Sequence, residues 1–82
     1  MERRGALRHH MIKGAEILAA SGLLHGAVLD LSATGARIYL ASPVSVPDAV
    51  VLRLPDGATY IARRRWQRDA EVGFEFAAAA AV

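Results

Sequence analysis

The stretch GARIYL, residues 35–40, alternates apolar and polar side chains. Its alanine, isoleucine and leucine would share one face of a β-strand, and its arginine and tyrosine would share the other. The stretches AVVLRL, residues 49–54, and VGFEF, residues 72–76, repeat this period of two. All three segments therefore predict strands with one buried face.

A fourth segment, TYIARRRWQ at residues 59–67, also alternates, but it carries arginine on both faces. Strict alternation puts four of its residues on one side: Tyr60, Ala62, Arg64 and Trp66. Such a strand fits a barrel wall or the edge of a sheet, with Arg64 near an opening or a bulge.

Turn residues separate these strands. LPDGA at residues 54–58 predicts a type I turn, so the strands before and after it should form a hairpin. Ser21 and Gly22 predict an earlier turn. ASPVSVPD at residues 41–48 holds two prolines, which cannot donate to a strand ladder, and it predicts a connection that crosses between two parts of the sheet.

Residues 12–24 contain good helix formers, but their alternation favours a strand region. The count is then six short strands, which predicts a small antiparallel barrel or sandwich. The 82 residues form one domain. We expect residues 1–11 to be a flexible N-terminal arm, 12–76 the β-barrel, and 77–82 a short tail or helical turn.

The basic residues are clustered in the sequence, although the formal net charge is only +2. Seven of the ten basic residues fall in two clusters: Arg3, Arg4 and Arg8, and Arg63, Arg64, Arg65 and Arg68. Such clusters predict either an anionic ligand or a solvated face.

Several classes of protein are disfavoured by what the composition lacks. The chain has no cysteine, which excludes disulfides, thiolate metal sites and thiol nucleophiles, and favours the cytoplasm. Because the apolar runs are short and interrupted, we expect no insertion into a membrane. We also expect neither a metal site nor a cofactor, and no enzymatic activity, since no catalytic elbow or ligand spacing is present.

Two groups of polar residues have the chemistry to recognise guanine. Arg4 and Arg8 stand four apart, and a guanidinium can bind phosphate oxygens or the O6 and N7 acceptors of guanine. Asp30 can accept hydrogen bonds from the opposite edge of the base, and the hydroxyl of Ser32 can add another. Together these side chains could read one guanine from both sides.

The order of these residues resembles the signature of the PilZ domain family. RGALR, residues 4–8, corresponds to RxxxR, and DLSATG, residues 30–35, corresponds to [D/N]xSxxG. ARRRWQRDAEVGFEF, residues 62–76, is similar to the closing hairpin of the family. The resemblance covers nearly the whole chain.

This resemblance implies a six-stranded antiparallel barrel that binds cyclic di-GMP, a bacterial second messenger. By the same resemblance, Arg4 and Arg8 would grip guanine edges and phosphates, while Asp30, Ser32 and Gly35 would line the surface beneath the ligand. A Cβ at Gly35 would block the nucleotide or strain the turn.

Arg3 completes an RRxxxR form, which in the family accompanies two stacked cyclic di-GMP molecules. Binding would change the arm and signal to a protein partner that the sequence does not identify. Two other functions stay open. The basic cluster could bind nucleic acid with Trp66, Tyr60 and Tyr39 interleaved, which we expect less, or the barrel could be a nucleotide-independent interaction module.

Overall fold

The computed structural model describes residues 14–79, which form a closed antiparallel barrel of six strands. The strands are β1 Gly14–Ala19, β2 Gly22–Leu31, β3 Gly35–Leu40, β4 Ala49–Arg53, β5 Thr59–Arg68 and β6 Glu71–Ala79. They follow the order β1-β2-β3-β6-β5-β4, and pairing of β1 with β4 closes the barrel. The predicted barrel is therefore confirmed over the sandwich. The predicted arm, residues 1–11, lies outside the described residues.

Alternation along the strands fills the barrel interior. Ile17, Ile38, Leu52 and Val72 are completely buried, and each comes from a different strand. Ile17 lies opposite Leu52, and Ile38 lies opposite Val72. The apolar face predicted from GARIYL is thus part of the core, and the polar face points outward.

The hairpin predicted at residues 54–58 joins β4 to β5. The Gly57 N–H donates to the Leu54 carbonyl at 2.9 Å, as a four-residue turn requires. The Asp56 carboxylate accepts a hydrogen bond from the Ala58 N–H at 2.9 Å. Gly57 has a φ of 93°, a conformation that glycine adopts without steric cost.

The proline-containing connection, residues 41–48, crosses from β3 to β4 as predicted. β3 pairs with β2 and β6, whereas β4 pairs with β1 and β5. Gln67 holds the connection: its Oε1 accepts from the Val46 N–H at 3.0 Å, and its Nε2 donates to the Val44 carbonyl at 2.7 Å. Val46 is buried with the core.

Two segment boundaries predicted from the sequence differ from the strand boundaries in the structure. The strand region predicted at residues 12–24 is described from Gly14 onward, and that part divides at the predicted turn into β1 and the start of β2. The tail or helical turn predicted for residues 77–82 is wrong for Ala77–Ala79, which belong to β6. Ala78 and Ala79 pair with Ile61 and Tyr60, so an available partner strand outweighs the helix propensity of alanine.

Three β-bulges interrupt the alternation in the described strands. Leu29 is the extra residue on β2, Arg65 is the extra residue on β5, and Ala77 is the extra residue on β6. Arg64 pairs with Phe74, a core residue, but Trp66 pairs with Gly73 on the outer wall. The prediction that Trp66 shares the face of Arg64 is therefore wrong, because a bulge reverses the faces of the residues that follow it.

Candidate functional site

A cleft of about 350 Å³ lies on the outer surface of the barrel, at the turn between β2 and β3. It is lined by Asp30, Leu31, Ser32, Thr34, Gly35, Ala36, Arg37, Arg65, Phe74 and Glu75. The structure thus brings together three of the residues singled out in the sequence, namely Asp30, Ser32 and Gly35. The other three, Arg3, Arg4 and Arg8, lie outside the described residues.

The bulge at Leu29 determines where the Asp30 carboxylate points. Val28 pairs with Ile38 and faces the interior, whereas Asp30 pairs with Arg37 on the outer wall. Without the extra residue, Asp30 would share the face of Val28 and its charge would enter an apolar core. Asp30 is instead exposed at the cleft, where a ligand could reach it.

Ser32 organises the turn that forms one side of the cleft. Its N–H donates to the Gly35 carbonyl at 2.9 Å, and its Oγ accepts from the Thr34 N–H at 3.2 Å. The side chain is exposed, so the hydroxyl also faces solvent. Ser32 therefore has a structural role that exists without any ligand.

Gly35 is required by the close approach of β3 and β6. A Cβ at this position would collide with the carbonyl oxygen of Phe74, whose strand runs alongside. Gly35 has no positive φ, so its backbone conformation alone does not require glycine. The glycine removes a clash between two strands beneath the cleft.

Two arginines of the cleft were not singled out as site residues from the sequence. Arg37 Nη1 donates to Glu71 Oε2 at 2.6 Å, and Arg65 Nη1 donates to Glu75 Oε1 at 3.2 Å. Arg37 lies opposite Asp30 only because of the bulge at Leu29. Alternation alone could show that Arg37 faces outward, but not which residue it faces.

Trp66 lies beside the cleft on the same outer wall. Its indole covers Gly73, where any Cβ would collide with the ring, and 39% of the residue remains exposed. The guanidinium carbon of Arg68 is 6.0 Å from the ring centroid, at the limit of a cation–π contact. Trp66 therefore presents part of an aromatic face on the same wall as Arg37, with β6 between them.

The second basic cluster does not form one uniform positive surface. Arg64 Nη2 donates to Asp48 Oδ1 at 2.8 Å. Arg65 is paired with Glu75, and Tyr60 stacks on Phe76 at 4.1 Å between ring centroids instead of joining Trp66 on the outer wall. The described arginines and aromatics thus lack the interleaving that a nucleic-acid groove needs.

Within residues 14–79, no three histidine, aspartate or glutamate side chains come together as metal ligands would. The described chain also contains no helix with the length and hydropathy to cross a membrane.

Comparison with known proteins gives one match. The family model described as the PilZ domain matches residues 2–81, almost the entire chain. No curated protein and no solved structure matches the chain. The matched range includes both RGALR and DLSATG, and it also includes every strand of the barrel.

Proposed function

Because the chain belongs to the PilZ domain family, we propose that it binds cyclic di-GMP in the cleft formed by Asp30, Ser32 and Gly35. PilZ domains are ligand-binding receptor modules for this messenger. The observation that carries the proposal is the bulge at Leu29, which directs the Asp30 carboxylate outward into the cleft beside the Ser32 turn.

The chemistry of the cleft fits a guanine base. The Asp30 carboxylate can accept hydrogen bonds from the N1 and N2 hydrogens of the base, and Ser32 can add a hydroxyl contact. The cleft is shallow because the barrel interior is filled by the core. A bound nucleotide would therefore keep much of its surface exposed unless another segment covered it.

Charge supports a role for Arg4 and Arg8. The described cleft has two arginines and two carboxylates, so their formal charges cancel. Each cyclic di-GMP molecule carries two phosphates, which require cations nearby. We propose that Arg4 and Arg8 supply these cations. Arg3 would extend the site to a stacked pair of ligands, giving two per chain.

The signal would pass through the N-terminal segment. We propose that binding changes the conformation of residues 1–11 and that a protein partner reads this change. The protein would act in the cytoplasm, because a chain without cysteine suits a reducing compartment. As a receptor, it would bind the messenger without catalysing a reaction.

Calorimetric titration with cyclic di-GMP, cyclic di-AMP and GTP tests the proposal. We expect binding of the guanine dinucleotide, weaker binding of the other two, and two ligands per chain. Asp30→Ala, Arg4→Ala and Arg8→Ala should each weaken binding by about 1–3 kcal/mol, the range for losing a good contact to a base. Arg53→Ala is the matched control, because Arg53 bonds Glu16 on the β1–β4 wall.

Each outcome has a distinct meaning. Equal affinity for the guanine and adenine dinucleotides, or no heat with cyclic di-GMP, contradicts the proposal. A stoichiometry of one refutes only the inference from Arg3. Binding of single-stranded DNA that survives replacement of Arg4 and Arg8 would favour the nucleic-acid alternative.

A further inference from the structure

Arg65 and Glu75 form an ion pair inside the cleft, next to the residues assigned to the ligand. Arg65 Nη1 lies 3.2 Å from Glu75 Oε1, and both side chains line the cleft with Asp30 and Ser32. We propose that Glu75 competes with the ligand for Arg65: the carboxylate holds the guanidinium in the free protein, and binding transfers it to a ligand phosphate. This inference rests on the proposed function.

The backbone places both groups where such an exchange is possible. Arg65 is the extra residue of the β5 bulge, so it has no direct partner on β6 and its side chain is not fixed in a ladder row. Bulges commonly re-aim a side chain in this way. Glu75 lies opposite Gly35, so no β3 side chain stands between its carboxylate and the Ser32 turn.

The pair is weak enough to exchange. The side chain of Arg65 is 63% exposed and that of Glu75 is 52% exposed, so water screens their attraction. Exposed pairs of this kind contribute little to stability. A phosphate oxygen carries similar charge and accepts from a guanidinium equally well, so it can replace a carboxylate at small cost.

The second arginine of the cleft is held differently. Arg37 donates to Glu71 at 2.6 Å, and the two side chains are less exposed than those of the Arg65–Glu75 pair. Glu71 does not line the cleft, whereas Glu75 does. Of these two glutamates, therefore, only Glu75 brings a negative charge into the cleft.

The test is calorimetric titration of cyclic di-GMP into wild-type protein and four variants at fixed ionic strength. Glu75→Gln should bind about two- to fivefold more tightly, because the competing carboxylate is gone. Arg65→Gln should bind about tenfold more weakly, as expected for loss of a hydrogen bond to a charged group. Glu75→Gln with Arg65→Gln completes a double-mutant cycle.

Glu16→Gln is the matched control. It removes the same charge from an exposed carboxylate that bonds an arginine, Arg53 at 3.1 Å, but this pair lies outside the cleft. We expect its affinity to stay within about 1.5-fold of wild type, because salt screens exposed charges over a Debye length of about 8–10 Å. A gain equal to that of Glu75→Gln would reduce the effect to net charge and refute the inference.

The sign of the coupling free energy in this double-mutant cycle shows whether Arg65 leaves Glu75 for the ligand or stays paired with it in the complex. If Arg65 moves to the ligand, Glu75→Gln improves binding more when Arg65 is present than when it is Gln. If the pair survives in the complex, Arg65 shields the ligand from the charge of Glu75. Glu75→Gln then improves binding less when Arg65 is present than when it is Gln, and that result overturns the inference. When wild type binds but both single variants match it, the inference fails and the proposed function stands. Absence of wild-type binding removes both.

Discussion

Replacing Gly35 with alanine should destabilise the barrel whether or not a ligand is present. The added Cβ would collide with the Phe74 carbonyl oxygen, and it would lie 3.3 Å from the Phe74 carbonyl carbon and 3.4 Å from the Glu75 Cα. All of these are backbone atoms of β6, so no side chain can turn away to relieve the contact.

The neighbouring hydrogen bonds resist a shift of either strand. The Gly35 carbonyl accepts from the Ser32 N–H at 2.9 Å, and the Phe76 N–H donates to the Thr34 carbonyl at 2.8 Å. Moving β3 away from β6 would stretch the second of these bonds, which joins the turn to β6. Overpacking in a well-packed region typically costs about 1–3 kcal/mol. In a domain of this size, each kcal/mol lowers the Tm by about 4–8 °C.

Gly14→Ala is the matched control for this substitution. Gly14 also begins a strand, but a Cβ there has its nearest neighbour, the Gly26 carbonyl oxygen, at 4.0 Å. We expect its unfolding free energy to stay within about 0.5 kcal/mol of wild type. Urea titration without ligand compares the two variants. If Gly35→Ala unfolds at the wild-type midpoint and loses only nucleotide binding, the clash with β6 is refuted as the reason for glycine.

Three further predictions concern the core, the crossing connection and the outer wall. Ile38→Ala should lower the unfolding free energy in urea by about 2–5 kcal/mol, because the side chain is completely buried. Gln67→Ala should cost about 1–3 kcal/mol in the same assay, since the Val46 N–H loses its side-chain acceptor in a partly buried place. Trp66 is the one tryptophan of the chain and is partly exposed over Gly73, so adding cyclic di-GMP should change its fluorescence; an unchanged spectrum at saturation would place the ligand away from this wall.

The strands could be predicted because their patterns are local. GARIYL alternates without interruption, and its apolar residues enter the core. LPDGA contains the residues that a tight turn needs, and the turn closes between Leu54 and Gly57. In both cases, side chains within six residues determine the structure, so no knowledge of partner strands is required.

The residues that form the bulges could not be predicted, because a bulge depends on pairing between distant residues. Arginine on both faces of residues 59–67 predicted an opening or a bulge near Arg64, and the structure has a bulge at Arg65, but the sequence did not mark the extra residue. Leu29 and Arg65 are ordinary strand residues, and neither glycine nor proline marks them. Each becomes an extra residue only when the register of its strand is set by a neighbour. The same dependence explains Ala77–Ala79, whose sequence favours a helix until β5 provides a partner. Recognition of the Asp-Ser-Gly motif identified part of the cleft without revealing these causes.

The bulges at Leu29 and Arg65 bear on where a barrel this small can bind a ligand. Its interior is filled by side chains such as Ile17 and Leu52, which leaves no room for a nucleotide inside. Any ligand must therefore bind on the outer wall. The bulges at Leu29 and Arg65 turn Asp30 and Trp66 outward, and both then fall in one cross-strand row with Arg37 and Gly73.

This cross-strand row lies on the outer wall, so its side chains can contact only one side of a ligand. The cleft above it is shallow, and its formal charges cancel. Binding a dinucleotide with two phosphates then needs cations from outside the described barrel, or a local cation freed from its carboxylate. In our proposals, Arg4 and Arg8 would be the first source, and Arg65 released from Glu75 would be the second. Measuring Arg8→Ala and Arg65→Gln, singly and together, would show how much of the binding free energy each source contributes, because contributions from independent sources add.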